Sequence, residues 1–106
     1  MIGYITLGTN DLEKAAEFYD KLLAELGAKR TMTDERMLGW STGDGPLFSV
    51  ITPFDKGTAT FGNGTMIALD VKTGEAVDRL YQLAIELGAS DEGAPHDRGS
   101  SMGFYG

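Results

Sequence analysis

The chain has 106 residues, a net charge of −7 and no cysteine. A chain of this length forms one domain that buries roughly 60–70% of its extended surface, so it needs no disulfide to fold. Its acidic charge repels phosphate backbones and anionic membrane surfaces, which argues against nucleic acid and membrane partners. The N-terminus does not look like a secretory signal, and no apolar run reaches the ~20 residues that span a bilayer. We therefore expect a soluble, cytoplasmic protein.

The chain opens with a strand that leads almost directly into an amphipathic helix. Residues 4–8 alternate between polar and apolar side chains, with the two-residue period of a half-buried strand. Asn10 is predicted to be the N-cap of the helix, with Glu13 three residues later as in a capping box. Apolar residues then recur at steps of three and four, and Gly27 is predicted to end the helix as its C′ glycine.

Three further strands are predicted before the middle of the chain. They cover residues 28–33, 36–42 and 47–51, and a strong turn signal, Gly-Asp-Gly-Pro, separates the last two. The strand at 47–51 is apolar enough to lie in the middle of a sheet. Residues 54–64 are rich in glycine and threonine and are predicted to connect two halves of the chain.

The second half of the chain repeats part of the first. The segment 22–28 recurs as 83–89 with five of seven residues identical, and sixty-two residues separate Ile5 from Ile67. This agreement favours duplication over chance. It predicts a strand over 65–71.

The duplication also places the rest of the second half. A helix is predicted to begin at Thr73 as its N-cap. A polar, glycine-rich segment follows at 90–101, and residues 102–105 look like the opening of another strand.

A strand that enters a helix through Thr-Asn-Asp-Leu, with a Phe-Tyr pair inside that helix, is a combination found in a known superfamily. Because of this combination, the chain resembles the glyoxalase, bleomycin-resistance and extradiol-dioxygenase group, which is the vicinal oxygen chelate superfamily. The matching segments cover nearly the whole chain and are 5–12 with Phe18 and Tyr19, 53–55, 62–66, 91–95, 98–99 and 104–106.

The resemblance implies an α+β fold of two βαβββ modules that form a curved mixed sheet. Module one would cover about residues 1–53, the connection 54–64, and module two 65–106. Members of the group continue past the Phe-Tyr-Gly with a turn and a final strand. The second module is therefore expected to be incomplete, truncated at the C-terminus by one or two elements. The resemblance also implies a homodimer.

In metal-dependent members of the group, His and Glu side chains on the first and last strands of each module hold a divalent metal. The resemblance assigns these positions to Tyr4, Ser49 and Met66, and the fourth would lie beyond Gly106. A phenol stays protonated up to pH ~10, a serine hydroxyl is neutral and a thioether is a soft ligand, so these side chains do not suit such an ion. We therefore expect no cofactor, and a divalent metal only if the protein is an enzyme whose ligands lie elsewhere.

A pocket for an apolar or aromatic small molecule is the other predicted site. Its predicted lining comprises Tyr4, Trp40, Phe48, Met66, Arg98 and Phe104, although plain core packing is the alternative for each of them. His96 and Arg98 are the catalytic candidates, because histidine titrates near neutral pH and arginine binds carboxylates through two parallel hydrogen bonds. The alternative for this pair is a solvated loop.

Three functions follow from the resemblance. The leading hypothesis is a glyoxalase/bleomycin-resistance-like protein that binds a small organic molecule without a metal. The first alternative is a metal-dependent lyase, isomerase or dioxygenase of the same superfamily. The second alternative, from another class, is a non-catalytic module that binds a protein partner.

Overall fold

The computed structural model describes residues 1–99 and 103–106 and divides the chain into two units, Met1–Met66 and Ile67–Gly106. Ser100, Ser101 and the predicted strand residue Met102 lie outside the described part. The units contain two helices, one four-stranded mixed sheet and one two-stranded sheet, which confirms the α+β part of the predicted fold class. Within the described part, no helix is long and apolar enough to cross a bilayer.

The first unit is a βαβββ arrangement. Its elements are β1 (Tyr4–Gly8), α1 (Leu12–Ala24), β2 (Lys29–Thr33), β3 (Met37–Ser41) and β4 (Leu47–Ile51). The strand order is β1-β4-β3-β2, with β1 parallel to β4 and the other pairs antiparallel. The apolar strand β4 therefore lies inside the sheet, as its composition predicted.

Helix α1 begins one residue later than expected. Asp11 is the N-cap: its backbone is extended, and its carboxylate accepts a hydrogen bond from the Lys14 N–H at 3.0 Å. The prediction that Asn10 caps the helix is wrong. The Asn10 amide instead makes two hydrogen bonds to the backbone of Ala59, donating to its C=O at 3.1 Å and accepting from its N–H at 2.7 Å.

The repeated Leu-Gly-Ala sequence ends α1 by a defined motif. Gly27 has a φ of 75°, which an L side chain rarely adopts, so it ends the helix as predicted. Here the Ala28 N–H donates to Leu23 O and the Gly27 N–H to Ala24 O, each at 3.0 Å. This is the Schellman arrangement, which satisfies carbonyls that the helix leaves without partners.

The core of the first unit lies between α1 and one face of the sheet. Leu23, Leu38, Trp40 and Val50 are buried there, with Tyr19 and other half-buried apolar residues around them. Burial of each such side chain contributes roughly 1.5–3 kcal/mol to the stability of the unit.

The second unit consists of α2 (Gly74–Glu86), β5 (Asp97–Gly99) and β6 (Phe104–Tyr105), the two strands being antiparallel. Thr73 caps α2 as predicted, accepting from the Ala76 N–H at 3.1 Å.

Two predictions for this part of the chain are wrong. The strand expected over 65–71 does not form, because none of the described residues pairs with that segment and alternation alone supplies no hydrogen-bond partner. The residues Asp97 and Arg98, expected in a loop, form β5.

Candidate functional site

Within the first unit, the four-stranded sheet has α1 on one face only, and the strand register fixes which side chains lie on the other face. Paired residues on adjacent strands share a face, and successive residues alternate between faces. Because Leu38, Trp40 and Val50 pack towards α1, their strand neighbours point the other way. We call this the helix-free face; its members are Tyr4, Thr6, Gly8, Met37, Gly39, Leu47, Ser49 and Ile51.

At the centre of the helix-free face lies a short chain of hydroxyl groups. Ser49 has no exposed surface, and its hydroxyl donates to the backbone oxygen of Ile5 at 2.7 Å. The Thr6 hydroxyl lies 3.0 Å from the Ser49 oxygen. Since the single Ser49 proton is used on Ile5, the proton in the second bond comes from Thr6. Thr6 is exposed and presents only lone pairs to a molecule above the sheet.

Two glycines let other groups approach this face closely. A Cβ at Gly39 would lie 3.1 Å from a methyl of Leu47, so the leucine side chain occupies the space that the glycine leaves. A Cβ at Gly8 would lie 3.0 Å from the Cβ of Ala59, the residue that Asn10 holds through its two hydrogen bonds. The connecting segment therefore covers the end of β1.

The predicted pocket residues of the first unit divide between the two faces of the sheet. Tyr4 lies on the helix-free face and is 66% exposed. Trp40 and Phe48 pair across β3 and β4 on the opposite face, where their rings lie 5.6 and 5.0 Å from that of Tyr19. The structure thus places Trp40 and Phe48 in the core beneath α1 and does not bring them together with Tyr4. The alternation of side chains along each strand determines which face a residue lies on, and aromatic character alone does not predict that face.

Asp20 supports this aromatic core from its rim. Its carboxylate accepts from the Trp40 indole N–H at 2.8 Å and forms an ion pair with Arg30. The hydrogen bond from Arg30 holds the pKa of the Asp20 carboxyl below its ordinary value. Burial raises the pKa of Tyr19. Both groups stabilise the packing under the sheet.

The remaining predicted site residues lie elsewhere. Met66 is 85% exposed at the end of the first unit. In the second unit, the backbone of His96 exchanges two hydrogen bonds with Gly106, at 3.0 and 3.1 Å, and Arg98 Nε donates to Gly106 O at 2.8 Å. His96 and Arg98 are thus bound to the backbone of the β5–β6 hairpin, while Phe104 belongs to β6 and is 54% exposed.

The residues at the family's metal positions do not fit a divalent ion. The Ser49 oxygen is fully buried and engaged in two hydrogen bonds, so it has no free direction for a metal. Tyr4 offers a phenol and Met66 a thioether, neither of which is a ligand for a hard cation. Within residues 1–99 and 103–106, no three His, Cys, Asp or Glu side chains lie close enough to hold one together.

Sequence reasoning missed two features of the first unit. The Thr6–Ser49 contact joins residues 43 positions apart and depends on the parallel pairing of β1 with β4. A second feature is a cleft of about 490 Å³ at the carboxyl ends of those two strands, which Arg36 and Lys56 help to line. The sequence signal for this cleft was the presence of two basic residues, Arg36 and Lys56, in an acidic chain.

Comparison with known proteins supports the fold and names its relatives. No protein-family model matches the chain, and no curated protein matches it in sequence. Among solved structures, it is similar to a glyoxalase/bleomycin resistance protein from Albidiferax ferrireducens, at 28% identity, with a TM-score of 0.86 and coverage of 97% of this chain and 83% of that one.

Two more structures extend the comparison. A hypothetical protein from S. aureus is 29% identical, with a TM-score of 0.70 over 99% of this chain and 80% of that one. The bleomycin resistance determinant of transposon Tn5 is 15% identical, with a TM-score of 0.63 over 97% and 82%, and shows the shared fold. The resemblance seen in the sequence is therefore confirmed: the structural neighbours are glyoxalase, bleomycin resistance and dioxygenase proteins.

Proposed function

We propose that this chain, whose structural neighbours are glyoxalase/bleomycin resistance proteins, binds a small organic molecule on its helix-free face and holds no metal there. The observation that supports it most is the state of Ser49. A position that the family resemblance assigns to a metal ligand carries a neutral hydroxyl with no exposed surface and both its hydrogen bonds made within the sheet. What this face offers a ligand is apolar surface and a hydroxyl acceptor.

The direction of the hydroxyl chain also defines the ligand's chemistry. While Thr6 donates to Ser49, its oxygen accepts a hydrogen bond from a bound molecule. An ionised carboxylate has no proton to give and would place its oxygens against those of Thr6. The preferred ligand therefore combines a flat apolar body, packed beside Tyr4, with an N–H or O–H donor that reaches Thr6.

Benzamide and benzoate test this preference directly, since they are nearly equal in shape and only benzamide has N–H donors. Titrated into the ¹⁵N-labelled protein at pH 7, benzamide should shift the amide signals of Thr6 and Ser49, and benzoate should leave them in place. Thr6→Val should weaken benzamide binding about three- to tenfold, the value of one hydrogen bond of ~0.5–1.5 kcal/mol. Thr6→Ser, which keeps the hydroxyl, is the matched control.

The apolar part of the site has its own pair of variants. Tyr4→Ala should weaken benzamide binding because it removes the exposed aromatic ring of the helix-free face. Phe61→Ala removes a ring that is fully exposed and lies in the connecting segment, and it should have no effect. Equal affinity for benzoate at Thr6, or no response to benzamide and to a panel of aromatic amides and amines, would contradict the proposal.

The enzyme alternative is tested by elemental analysis of protein purified without chelator. Stoichiometric nickel, zinc, iron or manganese would replace the proposal with a metal-dependent lyase, isomerase or dioxygenase. We further propose a homodimer, as the superfamily resemblance implies, and light scattering that returns the mass of one chain would refute it. An incomplete second module over residues 65–106 and a cytoplasmic location also stay proposals; the support for the latter is the absence of cysteine.

A further inference from the structure

The cleft at the carboxyl ends of β1 and β4 has a chemistry that the helix-free face does not share. Thr9 and Asn10 follow β1, Thr52 follows β4, and the segment after Thr52 closes the other side. The whole lining is Thr9, Asn10, Arg36, Thr52, Pro53, Lys56, Gly57 and Thr58. It contains two cationic side chains, four hydroxyl or amide side chains and no carboxylate.

The two cations are not neutralised, although the chain has sixteen acidic residues against nine basic ones. The ion pairs formed by residues 1–99 and 103–106 involve Arg30 with Asp20 and Lys72 with Asp70. Arg36 and Lys56 therefore have no carboxylate within ion-pair distance in the part of the chain that the structure describes. Two unpaired cations that share a cleft attract an anionic ligand.

Two carboxylates close in sequence to the cations have backbone partners. Asp55 accepts from the Gly57 N–H at 2.8 Å, and Asp34 accepts from the Glu35 N–H at 2.7 Å. Each lies close in sequence to one of the cations, yet each is turned to its own backbone. Neither carboxylate is paired with Arg36 or Lys56.

The Arg36 guanidinium is held in place and still has donors to offer. Its Nη2 donates to Thr52 O at 2.9 Å, and its central carbon lies 5.6 Å from the centre of the Phe54 ring. A guanidinium has five N–H donors in a planar fork. One backbone hydrogen bond and one aromatic contact therefore orient the group and leave other N–H donors free for a ligand. Such a fork matches the geometry of a carboxylate or phosphate.

The segment that carries Lys56 is also fixed. The Lys56 N–H donates to Pro53 O at 3.0 Å, and Lys56 itself has a φ of 62°. Further along, Ala59 is held by both ends of the Asn10 amide. The Arg36 guanidinium and the backbone that carries Lys56 are therefore ordered before any ligand arrives, which lowers the entropy cost of binding.

We propose that this cleft is a binding site for a small oxyanion, a phosphate or a carboxylate group, with Arg36 as its bidentate partner and Lys56 as the second charge. The hydroxyl of Thr58 and the second amide N–H of Asn10, whose first goes to Ala59 O, line the same space and can donate to the remaining oxygens. The site does not depend on the ligand proposed for the helix-free face.

Titration of the ¹⁵N-labelled protein with sodium phosphate, at ionic strength held constant with sodium chloride, tests the site. The amide signals of Gly57 and Thr58 and the side-chain signal of Arg36 should move along one saturable curve. Sodium malonate in a second arm distinguishes a dicarboxylate from phosphate as the preferred source of the oxyanion. The indole signal of Trp40, the single tryptophan, reports that the core stays folded.

Variants separate a specific site from general charge. Arg36→Gln should weaken phosphate binding at least tenfold, and Lys56→Asn, which suits the left-handed backbone at that position, should weaken it several-fold. Lys29→Gln removes the same charge from exposed strand β2 and should change nothing. The proposal is overturned if the shifts equal those in chloride alone, if they do not saturate with either anion, or if Arg36→Gln binds as tightly as the parent while the Trp40 signal is unchanged.

Discussion

Replacing Asp20 tests which of its two partners stabilises the first unit. Asp20 accepts a hydrogen bond from the Trp40 indole and forms an ion pair with Arg30. Trp40 is 1% exposed, whereas the side chains of the ion pair are 39% and 32% exposed. These environments predict unequal contributions, because water replaces an exposed partner more readily than a buried one.

The magnitudes follow from that difference in exposure. An exposed ion pair contributes ~0.2–1 kcal/mol to the free energy of unfolding. Leaving the buried indole N–H without an acceptor costs ~1–3 kcal/mol. Asp20→Ala removes both interactions and should cost about 2–3 kcal/mol, whereas Asp20→Asn keeps an oxygen for Trp40 and should cost under about 1 kcal/mol.

Urea denaturation followed by Trp40 fluorescence measures both variants, and thermal unfolding gives a second estimate. For a domain of this size each 1 kcal/mol lowers Tm by roughly 4–8 °C, so Asp20→Ala should lower it by roughly 8–16 °C if it costs about 2 kcal/mol. Glu17→Ala, an exposed carboxylate on the same helix, is the control and should stay within about 0.5 kcal/mol of the parent. If Asp20→Asn proves as destabilising as Asp20→Ala, the stabilisation comes from the charge of Asp20 and not from its hydrogen bond with the Trp40 indole, and the reasoning is refuted.

Three more predictions follow from the same contacts. The hydrogen bond from Arg30 lowers the pKa of Asp20 from 3.8 in the folded protein. The contribution of this carboxylate to stability is therefore fully present above pH 3.8 and is lost as the pH falls through the lower folded-state pKa. Urea denaturation at a series of pH values from about 6 to about 2 should show this loss in the parent and less of it in Asp20→Asn. Asp11→Ala should lower the free energy of unfolding by ~1 kcal/mol because it removes the N-cap. Asn10→Ala should mainly speed amide exchange at Ala59. The opposite pattern would show that Asn10 is the N-cap. Gly27→Ala should lower the free energy of unfolding by ~1–2 kcal/mol because the residue has a φ of 75°. Gly27→Asn should lower it clearly less, and chemical denaturation of both variants measures the difference.

Much of the fold was predictable because it follows from local patterns. The period-two alternation of β1, the apolar run of β4 and the glycine that ends α1 each act over a few residues. The duplicated Leu-Gly-Ala sequence even predicted matching helix ends: Gly88 has a φ of 105°, and the Ala89 N–H donates to Ala84 O at 2.9 Å, as in the first helix.

Errors arose where a second segment decided the outcome. Asn10 and Asp11 are both good capping residues by type, and only the arrival of Ala59 beside the Asn10 amide leaves the cap to Asp11. The segment 65–71 has a strand's alternation, yet no described residue pairs with it. A strand depends on hydrogen bonds to a partner, which its own sequence does not contain.

The sequence alone determined the helices, the first four strands and the likeness to glyoxalase and bleomycin resistance proteins, because these rest on spacing along the chain. Only the tertiary structure decided what each face of the sheet carries. Parallel pairing of β1 with β4 brought Thr6 to Ser49, while the register of β3 with β4 put Trp40 and Phe48 together in the core. Which side chains meet across strands depends on register, and register is a property of the assembled sheet.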